Sequence, residues 1–123
     1  MDPLRILIVD DLEDNGELLC EAMIARGHTC RYARDAAEAL EIAPALAPQV
    51  AILDVLMPDI NGYELGKRLR ALPGMSNLCL VAITGFDRDP KKAYAAGFDG
   101  HVIKPVTLTK LDAVITESLA KRR

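Results

Sequence analysis

The chain has 123 residues, of which 50% are hydrophobic and 27% are charged, and its formal net charge is −3. This length suffices for one well-packed core and the composition is typical of a folded globular protein, so we expect a single domain over residues 1–123. The negative net charge argues against direct nucleic-acid binding. No apolar stretch approaches the ~18 residues of a membrane span, and the N-terminus lacks a signal-peptide pattern. Together these features predict a cytoplasmic protein without membrane contact.

Apolar runs predict five strands, four of which read as buried on both faces, as in a parallel sheet. The runs are Leu4–Val9, Thr29–Ala33, Val50–Leu53, Leu78–Ile83 and Val102–Ile103. The second run is the weakest because it mixes Arg31 and Tyr32 with apolar residues, which is typical of a strand at the edge of a sheet.

Helical patterns lie between the predicted strands. Glu13–Arg26 places apolar residues four positions apart and ends at Gly27, a residue that commonly follows a helix. The second predicted helix runs from a cap at Asp35 to about Ala43 and is stopped by Pro44, and the third covers Asn61–Leu72. The fourth begins at a cap at Asp89 followed by Pro90 and ends at Gly97. The fifth begins at a cap at Thr107 and has inward-facing Leu108, Leu111, Ile115 and Leu119.

This alternation of strands and helices predicts an α/β fold, a doubly wound (βα)₅ unit. Its five-stranded parallel sheet has the order 2-1-3-4-5 with helices on both faces, as in flavodoxin-like proteins. Function in such a sheet lies at the carboxyl ends of the strands. The residues at those ends are Asp10 and Asp11, Asp54, Thr84 and Gly85, and Lys104 and Pro105. Each alone is explained as a turn, a cap or a strand end, but their joint placement at one edge favours a functional site.

The predicted edge gathers three acids, one hydroxyl and one lysine. Three neighbouring carboxylates cannot all stay ionised without compensation, and Lys104 supplies only one positive charge. A hard divalent cation such as Mg²⁺ suits all-oxygen ligands and would supply the rest. It would also attract a phosphoryl group, which Asp54 could accept as an aspartyl phosphate. Lys104 and the Thr84 hydroxyl would help to neutralise that group.

With these residues in order, the chain resembles a response-regulator receiver domain of two-component signalling, the fold of chemotaxis regulators, from about Leu4 to Leu119. The motifs that carry the resemblance are Val9-Asp10-Asp11, Leu53-Asp54 with Met57-Pro58 and Gly62, Thr84-Gly85, and Lys104-Pro105. The resemblance implies a phosphoacceptor in a phosphorelay, with a sensor histidine kinase or a histidine phosphotransfer protein as the partner that donates from phosphohistidine. It implies self-catalysed chemistry only, not an enzyme.

The resemblance also assigns roles to residues. Asp54 resembles the phosphoacceptor, and Thr84 and Lys104 resemble the pair that holds the phosphoryl group. Asp10, Asp11, Asp54 and the backbone carbonyl of Leu56 resemble the ligands of Mg²⁺, with Mn²⁺ as an alternative ion. The Lys104–Pro105 peptide bond is expected to be cis. Phosphorylation is expected to switch the face formed by the fourth helix, the fifth strand and the fifth helix, to which the downstream target would bind.

Two positions bear on how the switch and the loss of the phosphoryl group would work in this chain. His101 lies where a Tyr or Phe commonly precedes the lysine by three positions, which predicts a muted or differently connected switch through Thr84. Leu56 lies two residues after the acceptor, and its apolar side chain offers no help in orienting an attacking water. The sequence therefore predicts slow self-dephosphorylation.

Several alternatives stay open at this point. The chain could be a degenerate receiver that only binds partners, although its complete set of acids, threonine and lysine argues against this. A small aspartyl-phosphate phosphotransferase would need a substrate lobe, and a flavin or nucleotide module would need a phosphate cradle after the first strand rather than the anionic Asp10–Asp14. The chain could be a stand-alone receiver or part of a hybrid histidine kinase. Tyr94, Lys91 and Lys92 could form either a solvated face or a docking surface.

Overall fold

The computed structural model describes residues 2–85 and 90–121, and in this part of the chain five strands alternate with five helices. The strands are β1 (Arg5–Val9), β2 (Thr29–Ala33), β3 (Val50–Asp54), β4 (Cys79–Thr84) and β5 (Gly100–Ile103). The helices are α1 (Glu13–Ala25), α2 (Ala36–Leu46), α3 (Gly62–Arg70), α4 (Lys91–Ala95) and α5 (Leu108–Lys121). None of these helices is both long and apolar enough to cross a membrane.

The strands form one parallel sheet in the order β2-β1-β3-β4-β5, so the predicted fold class is confirmed. β1 lies between β2 and β3. The chain therefore passes from β1 to β2 at one edge of the sheet, and then returns past β1 to form β3, β4 and β5 on its other side. The register pairs Val9 with Leu53 and Leu53 with Ala82, which brings the ends of the three central strands level.

Both faces of the sheet are covered by helices. Residues alternate along each strand, so one set packs with α2, α3 and α4 and the other set packs with α1 and α5. In β1, for example, Leu7 and Val9 belong to the first cluster and Ile6 and Ile8 to the second, and all four side chains are fully buried. Burial of such a side chain contributes about 1.5–3 kcal/mol, so the two clusters hold the strand ends in fixed positions.

The predicted helix signals are confirmed at two caps, Asp35 and Thr107, and one glycine, and the structure adds a third cap at Asn61. The side chains of Asp35, Asn61 and Thr107 accept hydrogen bonds from backbone N–H groups three residues later, at 2.8, 2.9 and 3.2 Å. Gly27 has a φ of 95°, which glycine adopts without the steric cost of a Cβ, immediately after α1 and its capping residue. These local interactions fix where α2, α3 and α5 begin and where α1 ends.

The prediction that Pro44 ends the second helix is wrong. Pro44 lies inside α2, which continues to Leu46 and is followed by the capping residue Ala47, where φ is 48°. A proline removes only its own N–H, and close to a helix end this costs few further bonds. The Ala47 N–H still donates to the Ala43 carbonyl at 2.8 Å, and Leu46 packs against the core. The packing of the partly buried Leu46 against the core therefore favours continuation of the helix beyond the proline.

Other boundaries differ from the predictions by one or two residues. α1 ends at Ala25 and α3 ends at Arg70, both earlier than predicted, while β5 begins two residues earlier, at Gly100. Pro90 precedes α4 as its capping residue instead of occupying the first helical position. The predicted cap Asp89 lies outside the described residues.

A side-chain bracket holds the edge of the sheet that carries β4 and β5. The guanidinium of Arg70 donates to the Leu78 carbonyl and, at 2.9 Å, to Oδ2 of Asp99. The same oxygen of Asp99 accepts the backbone N–H of Leu80 at 2.9 Å. The bracket therefore links α3 to the starts of both strands.

Candidate functional site

The strand ends bring the predicted site residues to one edge of the sheet. Asp10 directly follows β1, Asp54 ends β3 and Thr84 ends β4, and their exposed fractions are only 2%, 2% and 5%. Lys104 directly follows β5 and is partly exposed. Polar side chains this deeply buried require partners, because an uncompensated buried charge or dipole is costly.

Three carboxylates form the centre of this edge. Asp10, Asp11 and Asp54 each offer an oxygen, and these oxygens lie within 4.8 Å of one another. Burial raises the pKa of Asp10, and the charges of Asp54 and Asp11 raise it further, against the backbone N–H of Leu12 and the charge of Lys104, which lower it. Hard carboxylate oxygens in a crowded, partly dehydrated group are the donors that a Mg²⁺ ion prefers. The donor set therefore fits such a cation.

Lys104 is the cationic partner of Asp54. Its Nζ donates to Oδ2 of Asp54 at 3.0 Å, and the carboxylate is almost completely buried. Burial lowers the pKa of Lys104, but the hydrogen bond to Asp54 and the charges of Asp54, Asp10 and Asp11 outweigh it, so the net pKa is raised. The ammonium group therefore remains charged and offsets part of the negative charge at the site.

The loop after β3 wraps closely around Asp54. The backbone N–H of Leu56 donates to Oδ1 of Asp54 at 3.2 Å, and the Leu56 side chain is 56% exposed. Gly62 closes the loop with an N–H that donates to the Val55 carbonyl at 2.9 Å. A Cβ at Gly62 would lie 2.4 Å from the Asp54 carbonyl oxygen, so only glycine fits there. The loop thus places the backbone of Leu56 against the central carboxylate.

Tyr32 supports Asp10, and sequence analysis gave it no role at the site. Its hydroxyl donates to the backbone carbonyl of Asp10 at 2.6 Å. The register places Tyr32 opposite Ile8, two residues before Asp10, and the ring lies over Gly16, where a Cβ would be 2.1 Å from a ring carbon. An aromatic residue near the end of an edge strand, with a glycine in the preceding helix, was the available signal.

His101 contacts Thr84 directly. Nε2 of His101 and Oγ1 of Thr84 are 3.0 Å apart, and the imidazole is partly exposed. The backbone N–H of Lys104 donates to the Thr84 carbonyl at 2.8 Å, and the Lys104–Pro105 peptide bond is cis, as the resemblance implied. The predicted switch pair is therefore joined by a hydrogen bond in this state of the protein.

An open cleft of about 560 Å³ lies beside the acids, between α1 and the segment that follows β5. Asp10 and Lys104 face it from the site, and Leu18, Leu19 and Val106 form part of its apolar walls. Leu18 is 63% exposed. The cleft therefore opens to solvent beside the buried Asp10.

Comparisons with known proteins agree with this geometry. Residues 6–116 match the family described as the response regulator receiver domain. The sensor histidine kinase RcsC of Salmonella typhi is 32% identical over 125 residues, which cover 99% of this chain and 13% of the kinase. An uncharacterised 14.6 kDa protein of Leptolyngbya boryana is 33% identical over 116 residues, 93% of this chain and 88% of that protein. The chemotaxis protein CheY4 of Vibrio cholerae superposes with a TM-score of 0.86 at 25% identity, covering 95% of this chain and 99% of that chain.

The chain belongs to the response regulator receiver family and is a receiver domain of two-component signalling. Receiver domains are in general not classical enzymes. The relatives include sensor histidine kinases and response regulators, which is consistent with a kinase as partner. The acids at the strand ends form a group that could hold a metal ion, as receiver domains do.

Proposed function

We propose that this chain, as a single receiver domain, accepts a phosphoryl group on Asp54 from a phosphohistidine of a sensor histidine kinase or a histidine phosphotransfer protein. The supporting observation is the arrangement around Asp54. It is a buried carboxylate that pairs with Lys104 at 3.0 Å and lies within 4.8 Å of two further acids. A structural carboxylate would need only the lysine, whereas the extra negative charge is useful where a cation and a phosphoryl group are to be bound.

Asp10, Asp11 and Asp54, together with the backbone carbonyl of Leu56, would hold Mg²⁺ or Mn²⁺. When bound, the ion supplies positive charge that neutralises phosphoryl oxygens. The hydrogen bond from the Leu12 N–H to Oδ1 of Asp10, at 2.9 Å, holds that carboxylate in place without adding a charge. The Tyr32 hydroxyl anchors the backbone of the same residue.

In the transfer step, a carboxylate oxygen of Asp54 forms a bond to phosphorus while the phosphorus–nitrogen bond of the donor breaks. The electron pair of that bond leaves with the imidazole, whose other ring nitrogen carries a proton, so the donor histidine is returned in its neutral form. Catalysis of such transfers depends mainly on positioning and charge neutralisation. The Lys104 ammonium and the Thr84 hydroxyl would contact phosphoryl oxygens and stabilise the charge that they carry.

The phosphorylated state would be transmitted through Thr84 and His101 to the face formed by α4, β5 and α5. Thr84 ends β4, next to β3 with Asp54, and His101 lies on β5 at the edge of the sheet. Movement of the Thr84 hydroxyl toward a phosphoryl group would change its contact with His101. The downstream target would bind to the altered face.

Intact-mass measurement after incubation with acetyl phosphate and Mg²⁺ tests the proposal. We expect a gain of one phosphoryl mass in the wild type and none in Asp54→Asn or in the presence of EDTA. The exposed Glu41→Gln variant on α2 is the matched control and should behave like the wild type. No mass gain in the wild type would favour a partner-binding role without phosphorylation. Turnover of small phosphate esters would indicate a phosphotransferase.

A further inference from the structure

We propose that His101 is a positioning residue for Thr84, and that its Nε2–H holds the threonine oxygen so that the threonine proton is available to a phosphoryl oxygen on Asp54. The inference rests on the proposed function and concerns how the same site is regulated. Its basis is the 3.0 Å separation between Nε2 of His101 and Oγ1 of Thr84. A Tyr or Phe ring in place of His101 could not make this contact with a ring nitrogen.

The direction of this hydrogen bond decides what Thr84 can do. A hydroxyl has one proton and can accept through its lone pairs. If Nε2 carries no proton, the Thr84 hydroxyl donates to it, and its single proton is engaged away from Asp54. If Nε2 carries a proton, Oγ1 accepts from it, and the threonine proton can point to a phosphoryl oxygen. A donor that is already oriented before the group arrives costs no reorganisation when charge develops.

The backbone of Thr84 is held in place, so its side chain is the part that can respond to a phosphoryl group on Asp54. The Thr84 carbonyl is held by the Lys104 N–H at 2.8 Å, and the register places Thr84 opposite Ile103 and His101 opposite Ala82. The two side chains therefore belong to neighbouring strands whose relative position is fixed. Thr84 is almost completely buried, so loss of a partner there is not compensated by bulk water.

A reciprocal effect follows from linkage. If the Nε2–H form of His101 favours the phosphorylated state, phosphorylation must favour the Nε2–H form by the same factor. His101 is partly exposed on β5, so this change in the imidazole would be presented at the edge of the sheet. His101 thus gives the chain a switch based on the direction of a hydrogen bond, whereas a Phe ring at this position would act only by where it packs.

Substitutions that imitate one ring nitrogen at a time test the inference. The amide nitrogen of Gln lies near the place of Nε2, and that of Asn lies nearer to Nδ1. We expect His101→Gln to accept phosphoryl groups from acetyl phosphate at nearly the wild-type rate. His101→Asn and His101→Phe should be slower by roughly fivefold, the factor that one ordinary hydrogen bond contributes. Circular dichroism checks that all variants fold, and the comparison of Gln with Asn separates a hydrogen bond from general packing.

Two further measurements distinguish positioning from a structural role. In a Thr84→Ala background, the substitutions at His101 should have no additional effect on the rate. Nitrogen NMR of the imidazole should show the proton on Nε2 when Mg²⁺ and beryllofluoride, a mimic of the phosphoryl group, are bound. Equal rates for His101→Asn and His101→Gln, additive effects with Thr84→Ala, or a bare Nε2 in the beryllofluoride complex would each overturn the inference alone. A wild type that gains no phosphoryl mass would reject the proposed function and the inference together.

Discussion

Nζ of Lys104 lies 3.0 Å from Oδ2 of Asp54, although the two residues are 50 positions apart in the chain. This pair joins the end of β3 to the segment after β5, across the intervening strand β4. One positive charge thus faces three carboxylate groups, and we expect the remaining negative charge to make the stability of the protein depend on bound cations.

Lys104→Met should weaken the protein most when no cation is present. The change leaves a buried carboxylate without its charged donor, which costs about 1.5–3 kcal/mol for hydrogen bonds of this type. We expect a lower midpoint of thermal unfolding in EDTA, with a smaller loss in Mg²⁺, and much slower phosphorylation. The exposed Lys67→Met variant on α3 serves as the control. An equal loss of stability with and without Mg²⁺ would argue that the lysine acts only through packing.

Asp10→Asn should stabilise the protein in EDTA at neutral pH. Burial raises the pKa of Asp10 above the ordinary 3.8, so the folded state binds its proton more tightly than the unfolded state does. Stability from this group is therefore complete below 3.8 and is lost as the pH rises through the folded pKa. Since Asn stays neutral throughout, its advantage should be present at pH 7 and disappear as the pH falls to 3.8.

Thermal unfolding of both proteins across this pH range checks the Asp10 prediction. The midpoint should rise by several degrees at neutral pH, and the Oδ1 of Asn can still accept the Leu12 N–H. Glu41→Gln, at an exposed site, should show no such pH dependence. A variant that is less stable than the wild type at pH 7 in EDTA would show that the Asp10 charge is compensated within the protein.

Mg²⁺ should stabilise the wild type and do little for Asp11→Asn. Binding to the folded state alone adds about 1.4 kcal/mol when the free ion is at ten times its dissociation constant. Asp11 is exposed, so its substitution should leave the stability in EDTA nearly unchanged. Thermal unfolding during a Mg²⁺ titration measures both effects. An identical response of Asp11→Asn and wild type would exclude this carboxylate from the metal site.

Leu56→Asn should shorten the lifetime of the phosphoryl group. The side chain is 56% exposed beside Asp54, so the change should not alter folding, while an amide there can orient an attacking water. We expect dephosphorylation to accelerate roughly tenfold, less than the ~10²–10⁴-fold of a positioned general base, because an amide orients the water without accepting its proton. Decay of the phosphorylated mass after removal of the donor provides the measurement. A wild-type half-life of seconds, unchanged in the variant, would contradict it.

Gly62→Ala and Gly85→Ala form a matched pair at the site. A Cβ at Gly62 would lie 2.4 Å from the Asp54 carbonyl oxygen, whereas one at Gly85 would lie 3.7 Å from the Lys104 side chain, its nearest neighbour among the described residues. Gly62→Ala should therefore destabilise the protein by about 1–3 kcal/mol and slow phosphorylation, as overpacking does. Gly85→Ala should remain close to the wild type in stability. Chemical denaturation compares the two, and equal stabilities would show that the loop relaxes freely.

The strand ends could be predicted because the central strands are buried on both faces and therefore appear as unbroken apolar runs. The run that begins at Val50 stops at Asp54, and this alone locates the central carboxylate. The helix caps at Asp35 and Thr107 could be predicted for a similar reason, because the interaction joins a side chain to a backbone N–H only three residues later. Such features require no knowledge of distant residues.

Contacts between elements could not be predicted in the same way. Whether α2 continues past Pro44 depends on the packing of Leu46 against residues far away in the chain. The contact of Thr84 with His101, and that of Tyr32 with Asp10, depend on the register between strands and on side-chain rotamers. His101 is recognisable in the sequence as a departure from the family pattern, but only the structure shows that its Nε2 contacts Thr84.

The ion pair between Lys104 and Asp54 has a consequence for synthesis of the protein. Asp10 follows the first strand and Lys104 follows the last, so the complete group of side chains exists only after β5 has joined the sheet. A nascent chain still emerging from the ribosome has the acceptor but lacks the lysine that completes it. Under the proposed function, Asp54 therefore becomes competent to receive a phosphoryl group only after β5 has joined the sheet.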